Sequence, residues 1–179
     1  FQMRIAIVTV SDSCSLGLRD DLSGPLLRDL AIKEKQATVE EAMVPDERLL
    51  IESTITDLAD RNDVVITTGG TGLAPRDVTP EATLNVIHKR CTGLETALHV
   101  HGLKNTPMAA LSRLVVGIRD QCLIVNLPGS KNGAKDGWEV LSPLLDHAVS
   151  LIQNKDDGLA HKAMAAVGAR GEEPVSELD

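Results

Sequence analysis

Aromatic side chains are almost absent from this sequence of 179 residues, which contains one Phe, one Trp and no Tyr. Hydrophobic residues nevertheless make up 42% of the chain. The core must therefore be built from aliphatic side chains, mainly Val, Ile, Leu and Ala. A chain of this length is long enough for one compact domain with a substantial core.

Positive charge is also scarce, because 18 Lys and Arg residues face 26 Asp and Glu residues and the net charge is -8. Sequence-independent binding of nucleic acid depends on many Lys and Arg residues facing phosphates. We therefore expect no nucleic acid partner. A small polyanionic ligand would need local basic residues, backbone N–H groups or a divalent cation to offset the negative field.

The three cysteines, Cys14, Cys91 and Cys122, show no CxxC spacing. Neither a disulfide framework nor a zinc site is indicated, and a reducing compartment fits best. His99 and His101 are two residues apart, which on a helix sends them to different faces, and no third metal ligand is suggested. No run approaches the ~18 apolar residues of a membrane span, and no signal peptide pattern is present. We expect a cytoplasmic protein without membrane insertion.

Strand-like and helix-like segments alternate along the chain. Short β-branched apolar runs predict strands at residues 3–10, 37–44, 63–68 and 122–127. Apolar residues at helical spacing predict helices at 22–35, 45–61 and 79–90, and a last helical region that Pro143 restarts. Its buried side is predicted to consist of Trp138, Leu141, Leu145, Ala148 and Ile152.

This alternation predicts an α/β fold with a mostly parallel sheet wrapped by helices. Between residues 94 and 121 the pattern is weaker, and we expect a short helix over 94–103, a helical turn and a hairpin. Residues 1–153 are predicted to form the domain. Residues 154–179 lack periodicity and are rich in Gly, Ala and charge, which predicts a disordered tail or linker.

Three unusual loops follow strands: "SDS" at 11–13, "GGTGLAPRD" at 69–77 and "NLPGSKNG" at 126–133. Parallel strands end at one edge of a sheet, where ligands usually bind, and Gly-rich loops let backbone N–H groups approach an anion. The standard phosphate patterns do not match, because GxxxxGK[ST] lacks its lysine and Pro75 stands at the third glycine of GxGxxG. A tight connection between strand and helix remains an equal explanation of the glycines.

Arg76 and Asp77 favour a ligand, because a cation and a carboxylate beside free amides suit a phosphate with Mg²⁺. The alternatives are a surface ion pair or a helix cap, since Asp77 lies two residues before the predicted N-cap Thr79. Asp46, taken alone, is better explained as an N-cap. Further charge and hydroxyls could reach the same edge from Ser112, Arg113, Arg119 and Lys131, although a solvated face explains each one singly.

The motifs "VTVSDS", "TTGGTGLAPRDVTPEAT", "LSR", "GIR" and "NLPGS", in this order, resemble the MogA/MoaB molybdopterin-binding family. The resemblance is closest to its molybdopterin adenylyltransferase branch, which includes the amino-terminal domain of gephyrin. It extends from about Arg4 to Ile152, and "GGTG" followed by "RDVTPEAT" is its most specific part. The resemblance implies a three-layer α/β/α fold that assembles as a homotrimer.

The implied reaction belongs to molybdenum cofactor biosynthesis. Mg²⁺ and ATP are used to adenylylate the terminal phosphate of molybdopterin, with release of pyrophosphate. Asp77 and Asp46 are the implied catalytic residues, and Asp77 would hold Mg²⁺. The implied nucleotide and phosphate contacts are Ser11, Asp12, Gly69, Gly70, Thr71 and Gly72. The implied molybdopterin contacts are Ser112, Arg113, Asn126, Pro128, Gly129 and Ser130.

Two positions depart from the family pattern: Asp120 follows "GIR" where glycine is usual, and Thr92 stands where proline is common. Two other functions stay open. One is a trimerising scaffold domain of a gephyrin-like receptor-clustering protein, with a second molybdenum-cofactor domain in a longer chain. The other is a related nucleotide-processing branch, which typically carries "GGLG" where this chain has "GGTG".

Overall fold

The protein is described by a computed structural model, which covers residues 2–154. Its centre is a six-stranded sheet in the order β2-β1-β3-β6-β5-β4. The strands are β1 (Arg4–Val10), β2 (Thr38–Val44), β3 (Val64–Thr68), β4 (Lys89–Arg90), β5 (Val116–Arg119) and β6 (Cys122–Leu127). β2, β1, β3 and β6 run parallel, whereas β5 is antiparallel to both β6 and β4. The prediction of a mostly parallel sheet is confirmed.

Helices cover both faces of this sheet. They are α1 (Asp12–Ser15), α2 (Ser23–Lys35), α3 (Arg48–Ala59), α4 (Thr79–Val86), α5 (Thr92–Asn105) and α6 (Lys131–Ile152), with a 3-10 helix at Pro107–Leu111. The weakly patterned region thus holds a helix, a helical turn and the β5–β6 hairpin, as expected. Residues 155–179, on which most of the predicted tail falls, lie outside the described part of the chain.

β1 shows why its sequence is apolar at every position. Ile5 and Ile7 point into one buried cluster, which includes side chains of α2, α5 and α6. Ala6 and Val8 point into a second cluster, with side chains of α3 and α4. A strand buried on both faces is the expected centre of a three-layer α/β/α fold, and this architecture is confirmed.

Two helix predictions are wrong. α4 ends at Val86 because Ile87 is extended, and the next residues join the sheet, where the His88 amide donates to the Ile118 carbonyl at 2.7 Å. Residues 89–90, predicted to be helical, form β4 instead. Pro143 does not restart the last helix but lies inside α6. Buried Trp138 and Leu145 lie on either side of it in the chain, so packing on both sides holds the helix together across the proline.

The hairpin between β5 and β6 turns at Asp120, between the paired residues Arg119 and Cys122. Asp120 has a φ of 49°, so the aspartate occupies the left-handed conformation that a glycine would adopt more easily. Because β5 runs antiparallel to β6, Arg119 lies at the edge opposite the three loops. Its predicted contribution of charge to the ligand edge is therefore wrong. Among the described helices, none combines the length and the apolar character that a membrane-spanning helix needs.

Candidate functional site

A cleft of about 1310 Å³ opens where β1, β3 and β6 end. The chain leaves β1 toward β2 on one side and returns to β3 on the other, and ligands of α/β proteins usually bind at such a switch point. Most of the predicted site residues line this cleft: Ser11, Asp12, Asp46, Gly69, Gly70, Thr71, Gly72, Asp77, Ser112, Pro128, Gly129 and Ser130. The three loops thus meet as the sequence predicted.

The first two glycines of the "GGTG" loop have conformations that only glycine adopts readily, with φ of 106° at Gly69 and 64° at Gly70. A side chain at Gly69 would also collide with the backbone oxygen of Val10. This close approach brings the ends of β1 and β3 together. The glycines therefore serve the tight connection and also shape the floor of the cleft.

Thr79 fixes the loop from the other side. Its hydroxyl donates to the Gly69 carbonyl at 3.0 Å, and its amide donates to the Gly70 carbonyl at 3.1 Å. Thr79 is the first residue of α4 rather than its N-cap, and no side chain caps this helix. Thr79 therefore binds the glycine loop and does not cap α4 as predicted.

The amides of this loop divide into two groups. The Gly69 amide donates to the Leu127 carbonyl at 3.1 Å and is not available to a ligand. Within residues 2–154, the amides of Gly70, Thr71 and Gly72 donate to no protein acceptor. Polar N–H groups that border a cleft without a partner suit an anionic oxygen.

Asp46 and Asp12 hold each other through the backbone. The Asp12 amide donates to Asp46 Oδ2 at 2.8 Å, and the Asp46 amide donates to Asp12 Oδ1 at 3.0 Å. The N-cap position of α3 belongs to Glu47, which makes no side-chain cap bond. The interpretation of Asp46 as an N-cap is therefore wrong. Ser11 instead caps its own short helix, accepting from the Cys14 amide at 3.2 Å.

The two carboxylates of this pair ionise differently. Burial raises the pKa of Asp46, and the neighbouring negative charges of Asp12 and Asp77 raise it further, although the Asp12 amide opposes this. Hydrogen bonds from Arg76 and from the Asp46 amide lower the pKa of Asp12. Of these two carboxylates, Asp46 is the one whose ionised form would gain more from a bound cation.

Arg76 bridges two acidic residues. It donates to both carboxylate oxygens of Asp12, at 2.8 and 2.9 Å, and to Glu47 at 2.9 Å. The neighbouring Asp77 binds within its own loop, where Asp77 Oδ2 accepts from the Ala74 amide at 2.9 Å. A side chain at Gly72 would approach Asp77 Oδ2 to 2.8 Å, so this carboxylate lies directly over the glycine loop. Asp77 is not a cap of α4.

The last loop packs against the glycine loop. The Thr68 hydroxyl donates to the Pro128 carbonyl at 2.9 Å. A side chain at Gly129 would lie 3.0 Å from the Gly69 Cα. Ser130 Oγ accepts from the Gly133 amide at 3.1 Å and caps α6, so the positive end of this long helix points toward the cleft.

Two predicted ligand contacts are not supported by the structure. Asn126 is fully buried, and its amide group donates to Thr67 and Thr83 at 2.9 and 2.8 Å. Its Oδ1 also accepts from the Val115 amide. Arg113 does not line the cleft and bonds to the loop at 72–77 instead. Both side chains belong to the scaffold that carries the site.

Other lining residues had no sequence motif to mark them. Asp21 accepts from the Thr9 hydroxyl at 2.5 Å and from the Gly24 amide at 3.0 Å, so it joins β1 to the start of α2. Basic side chains among the described lining residues come from Arg19 and Lys131. They face six aspartates, which are Asp12, Asp20, Asp21, Asp46, Asp77 and Asp136. The charge of the cleft is therefore negative.

A His–carboxylate group lies between α5 and α6. The nearest ligand atoms of His101, Asp136 and Glu139 are within 4.8 Å of one another. His101 lies on α5, and both carboxylates lie on α6. Glu139 has 48% of its side chain exposed and also lies 3.8 Å from Lys135 Nζ. These contacts are ordinary surface ion pairs.

With this geometry established, comparison with known proteins identifies the family. The family described as a probable molybdopterin binding domain matches residues 6–147. The chain belongs to this family. Its Helicobacter pylori relative, named molybdopterin adenylyltransferase, is 38% identical over 154 residues, which are 84% of this chain and 88% of the relative. The similarity places this domain among proteins of molybdenum cofactor biosynthesis.

A solved structure shares this fold closely. The molybdopterin biosynthesis enzyme MoaB from Thermus thermophilus has a TM-score of 0.79 at 42% identity, with 86% of this chain and 98% of that chain covered. A protein called CinA, from Thermoplasma acidophilum, aligns with a TM-score of 0.61 at 15% identity, which shows the fold alone.

Some relatives are much longer. The molybdenum cofactor synthesis protein cinnamon of Drosophila melanogaster is 43% identical over 165 residues, which are 90% of this chain but 27% of the relative. The chain thus spans about a quarter of that protein's length.

Proposed function

We propose that this domain is a molybdopterin adenylyltransferase, which transfers AMP from Mg-ATP to the terminal phosphate of molybdopterin and releases pyrophosphate. The main observation for this proposal is that Asp46 and Asp77 meet the unpaired amides of the "GGTG" loop in one cleft. The names of relatives of similar length support the choice of reaction.

The reaction needs no protein nucleophile. A phosphate oxygen of molybdopterin attacks the α-phosphorus of ATP, and the bond from that phosphorus to the oxygen bridging to the β-phosphate breaks. Pyrophosphate leaves with the bonding electrons. Catalysis of such a step consists of holding the two reactants in line and stabilising the charge that develops on the α-phosphate.

The charge of the cleft supports a role for a divalent cation. Both reactants are polyanions, and six lining aspartates outnumber Arg19 and Lys131. Mg²⁺ prefers oxygen ligands. The pKa of Asp46 is raised first by burial and then by the negative charges of Asp12 and Asp77, so a cation beside Asp46 would stabilise its ionised form. Asp77 and Asp46 would hold the ion, which supplies neutralisation of phosphate charge when bound.

The remaining residues divide between the two substrates. Ser11 and Asp12 would contact the nucleotide, and the amides of Gly70, Thr71 and Gly72 would bind its phosphates. Ser112 and the loop of Pro128, Gly129 and Ser130 would hold the pterin and its phosphate. Asn126 keeps a supporting role, because its buried amide joins β6 to β3 and α4.

The wider organisation is also part of this proposal. Residues 1–153 would form the catalytic domain of a cytoplasmic homotrimer, an assembly suggested by the family resemblance. The solution mass would then be about three times the 19.1 kDa of one chain. A monomeric mass at micromolar concentration would contradict the trimer.

A trimerising scaffold domain is the second candidate. A relative from Dictyostelium discoideum named gephyrin supports this candidate. It is 37% identical over 162 residues, which are 84% of this chain but only 23% of the relative. A second molybdenum-cofactor domain would then follow in a longer chain. The complete acidic cleft favours catalysis, with or without scaffolding.

The direct test incubates the protein with molybdopterin, ATP and Mg²⁺ and measures adenylylated pterin and pyrophosphate. We expect turnover that Asp77→Asn lowers by about a hundredfold or more while molybdopterin still binds. Asp57→Asn is the matched control, because Asp57 is exposed on α3 and does not line the cleft. Full activity of Asp77→Asn would contradict the role of Asp77, and an inactive wild-type protein would contradict the proposed function.

A further inference from the structure

The loop that carries Asp77 lacks support from the core. Leu73, Ala74, Pro75 and Arg76 are all exposed, and the loop's own hydrogen bonds join Ala74 and Asp77 to each other. A segment with so few buried contacts opens easily unless side chains from elsewhere hold it. Its position therefore depends on groups outside the loop.

Arg113 supplies such groups at both ends of the loop. Its Nε donates to the Gly72 carbonyl at 2.8 Å, and its Nη2 donates to the Asp77 carbonyl at 2.6 Å. Its backbone amide donates to the Thr71 carbonyl at 2.8 Å. Arg113 thus binds the loop at Thr71, Gly72 and Asp77. The planar guanidinium of arginine presents several N–H donors in fixed directions, which lysine cannot do.

The guanidinium is itself held in place. Its Nη1 pairs with Glu81 on α4. Burial tends to raise the pKa of Glu81, but the hydrogen bond and charge of Arg113, together with a backbone hydrogen bond and the charge of Arg48, lower the pKa overall. Behind Arg113, the Ser112 carbonyl lies 2.8 Å from His99 Nε2 on α5. Arg113 therefore connects the loop to two helices.

We propose that Arg113 is a positioning residue, which fixes the Asp77 carboxylate over the "GGTG" amides without contacting either substrate. This inference rests on the proposed function and changes the role that the family resemblance implied for Arg113, direct contact with molybdopterin. The two roles differ in what they predict. A positioning residue affects the rate of the chemical step, whereas a direct contact affects the affinity for molybdopterin.

The test compares Arg113→Met, Arg113→Lys and wild-type protein. We expect kcat to fall roughly ten- to hundredfold in both variants, because misplacement by about 1 Å can cost a hundredfold. Lysine cannot donate to both carbonyls in the same fork, so restoring the charge should not restore the rate. The Kd for molybdopterin, measured without ATP, should stay within about twofold of wild type.

Arg119→Met is the matched control. Arg119 also donates from its guanidinium to a backbone carbonyl, that of Val86 at 3.0 Å, but it lies at the opposite edge of the sheet. Arg119→Met should leave kcat unchanged, although it also removes a hydrogen bond from a guanidinium to a backbone carbonyl. The control separates loss of the loop contact from general destabilisation, which thermal unfolding of all variants would report.

The outcomes are distinct. Unchanged kcat in both Arg113 variants, or a raised molybdopterin Kd with unchanged kcat, would overturn the inference. If the wild-type protein transfers no AMP, the proposed function fails, and hydrogen exchange then decides on Arg113. Faster exchange at residues 73–77 in Arg113→Met than in Arg119→Met would support the positioning role, and equal exchange would overturn it.

Discussion

The two acidic residues of the site are held in different ways. Asp46 is half-buried and exchanges backbone hydrogen bonds with Asp12, so its position follows from the ends of β1 and β2. Asp77 lies on an exposed loop that the side chains of Arg76 and Arg113 tie down. Both carboxylates accept from a backbone amide, but the amide that binds Asp46 follows β1 directly, whereas the amide that binds Asp77 belongs to the same exposed loop, which side chains hold in place. Changes at the two positions should therefore differ in their effect on stability even where they have the same effect on turnover.

Asp46→Asn should lower turnover by about a hundredfold or more, as expected for a ligand of the metal that neutralises the phosphates. It should also raise the melting temperature at neutral pH. The folded pKa of Asp46 lies above its unfolded value, so the ionised group weakens the folded state at pH values above the folded pKa. An asparagine oxygen can still accept from the Asp12 amide.

The melting temperatures of wild type, Asp46→Asn and Asp77→Asn should be measured from pH 4 to 8. The gain of Asp46→Asn should shrink as the pH falls through the folded pKa of Asp46. At pH 7, Asp77→Asn should change the free energy of unfolding by no more than about 0.5 kcal/mol, because it replaces a side chain on an exposed loop. An Asp46→Asn protein less stable than wild type at pH 8 would show that the ionised Asp46 carboxylate does not weaken the folded state.

Gly69→Ala tests how strictly the main chain fixes the glycine loop beside Asp46. Gly69 has a φ of 106° and lies against Val10, so alanine should cost about 2 kcal/mol or more in the free energy of unfolding. Gly93→Ala is the control, because Gly93 lies in the first turn of α5 with open space around it, and alanine there should stabilise the protein by about 0.5 kcal/mol or less. Urea denaturation measures both, and a neutral Gly69→Ala would show that the loop can relax.

Much of this arrangement can be predicted from the sequence, because it depends on local patterns. Continuous apolar runs mark strands buried on both faces, and parallel strands bring the three loops to one edge. β4 has only two residues, and its pairing with β5 depends on the distant hairpin. No local pattern distinguishes it from the end of the preceding helix.

The roles of individual polar residues were harder to predict. Asn126 carried a usable signal, because Cys122, Ile124 and Asn126 alternate along a buried strand and so share one face of the sheet. Arg113 carried none. An arginine that binds a phosphate and an arginine that binds two carbonyls of a neighbouring loop look alike in sequence, and only the folded chain shows the acceptors.

Arg76 belongs to the Asp77 loop and its side chain binds Asp12, so its loss should separate the effect of charge from the effect of position. Arg76→Met removes a positive charge beside Asp12, so the apparent affinity for Mg²⁺ should rise roughly two- to fivefold. It also releases the Asp77 loop, so kcat should fall by about tenfold or less. Arg76→Lys keeps the charge but loses the bidentate contact, and should show the lower kcat with nearly wild-type Mg²⁺ affinity. Mg²⁺ titration of turnover measures both effects. If kcat fell in Arg76→Met but not in Arg76→Lys, Arg76 would contribute through its charge rather than by holding the Asp77 loop in position.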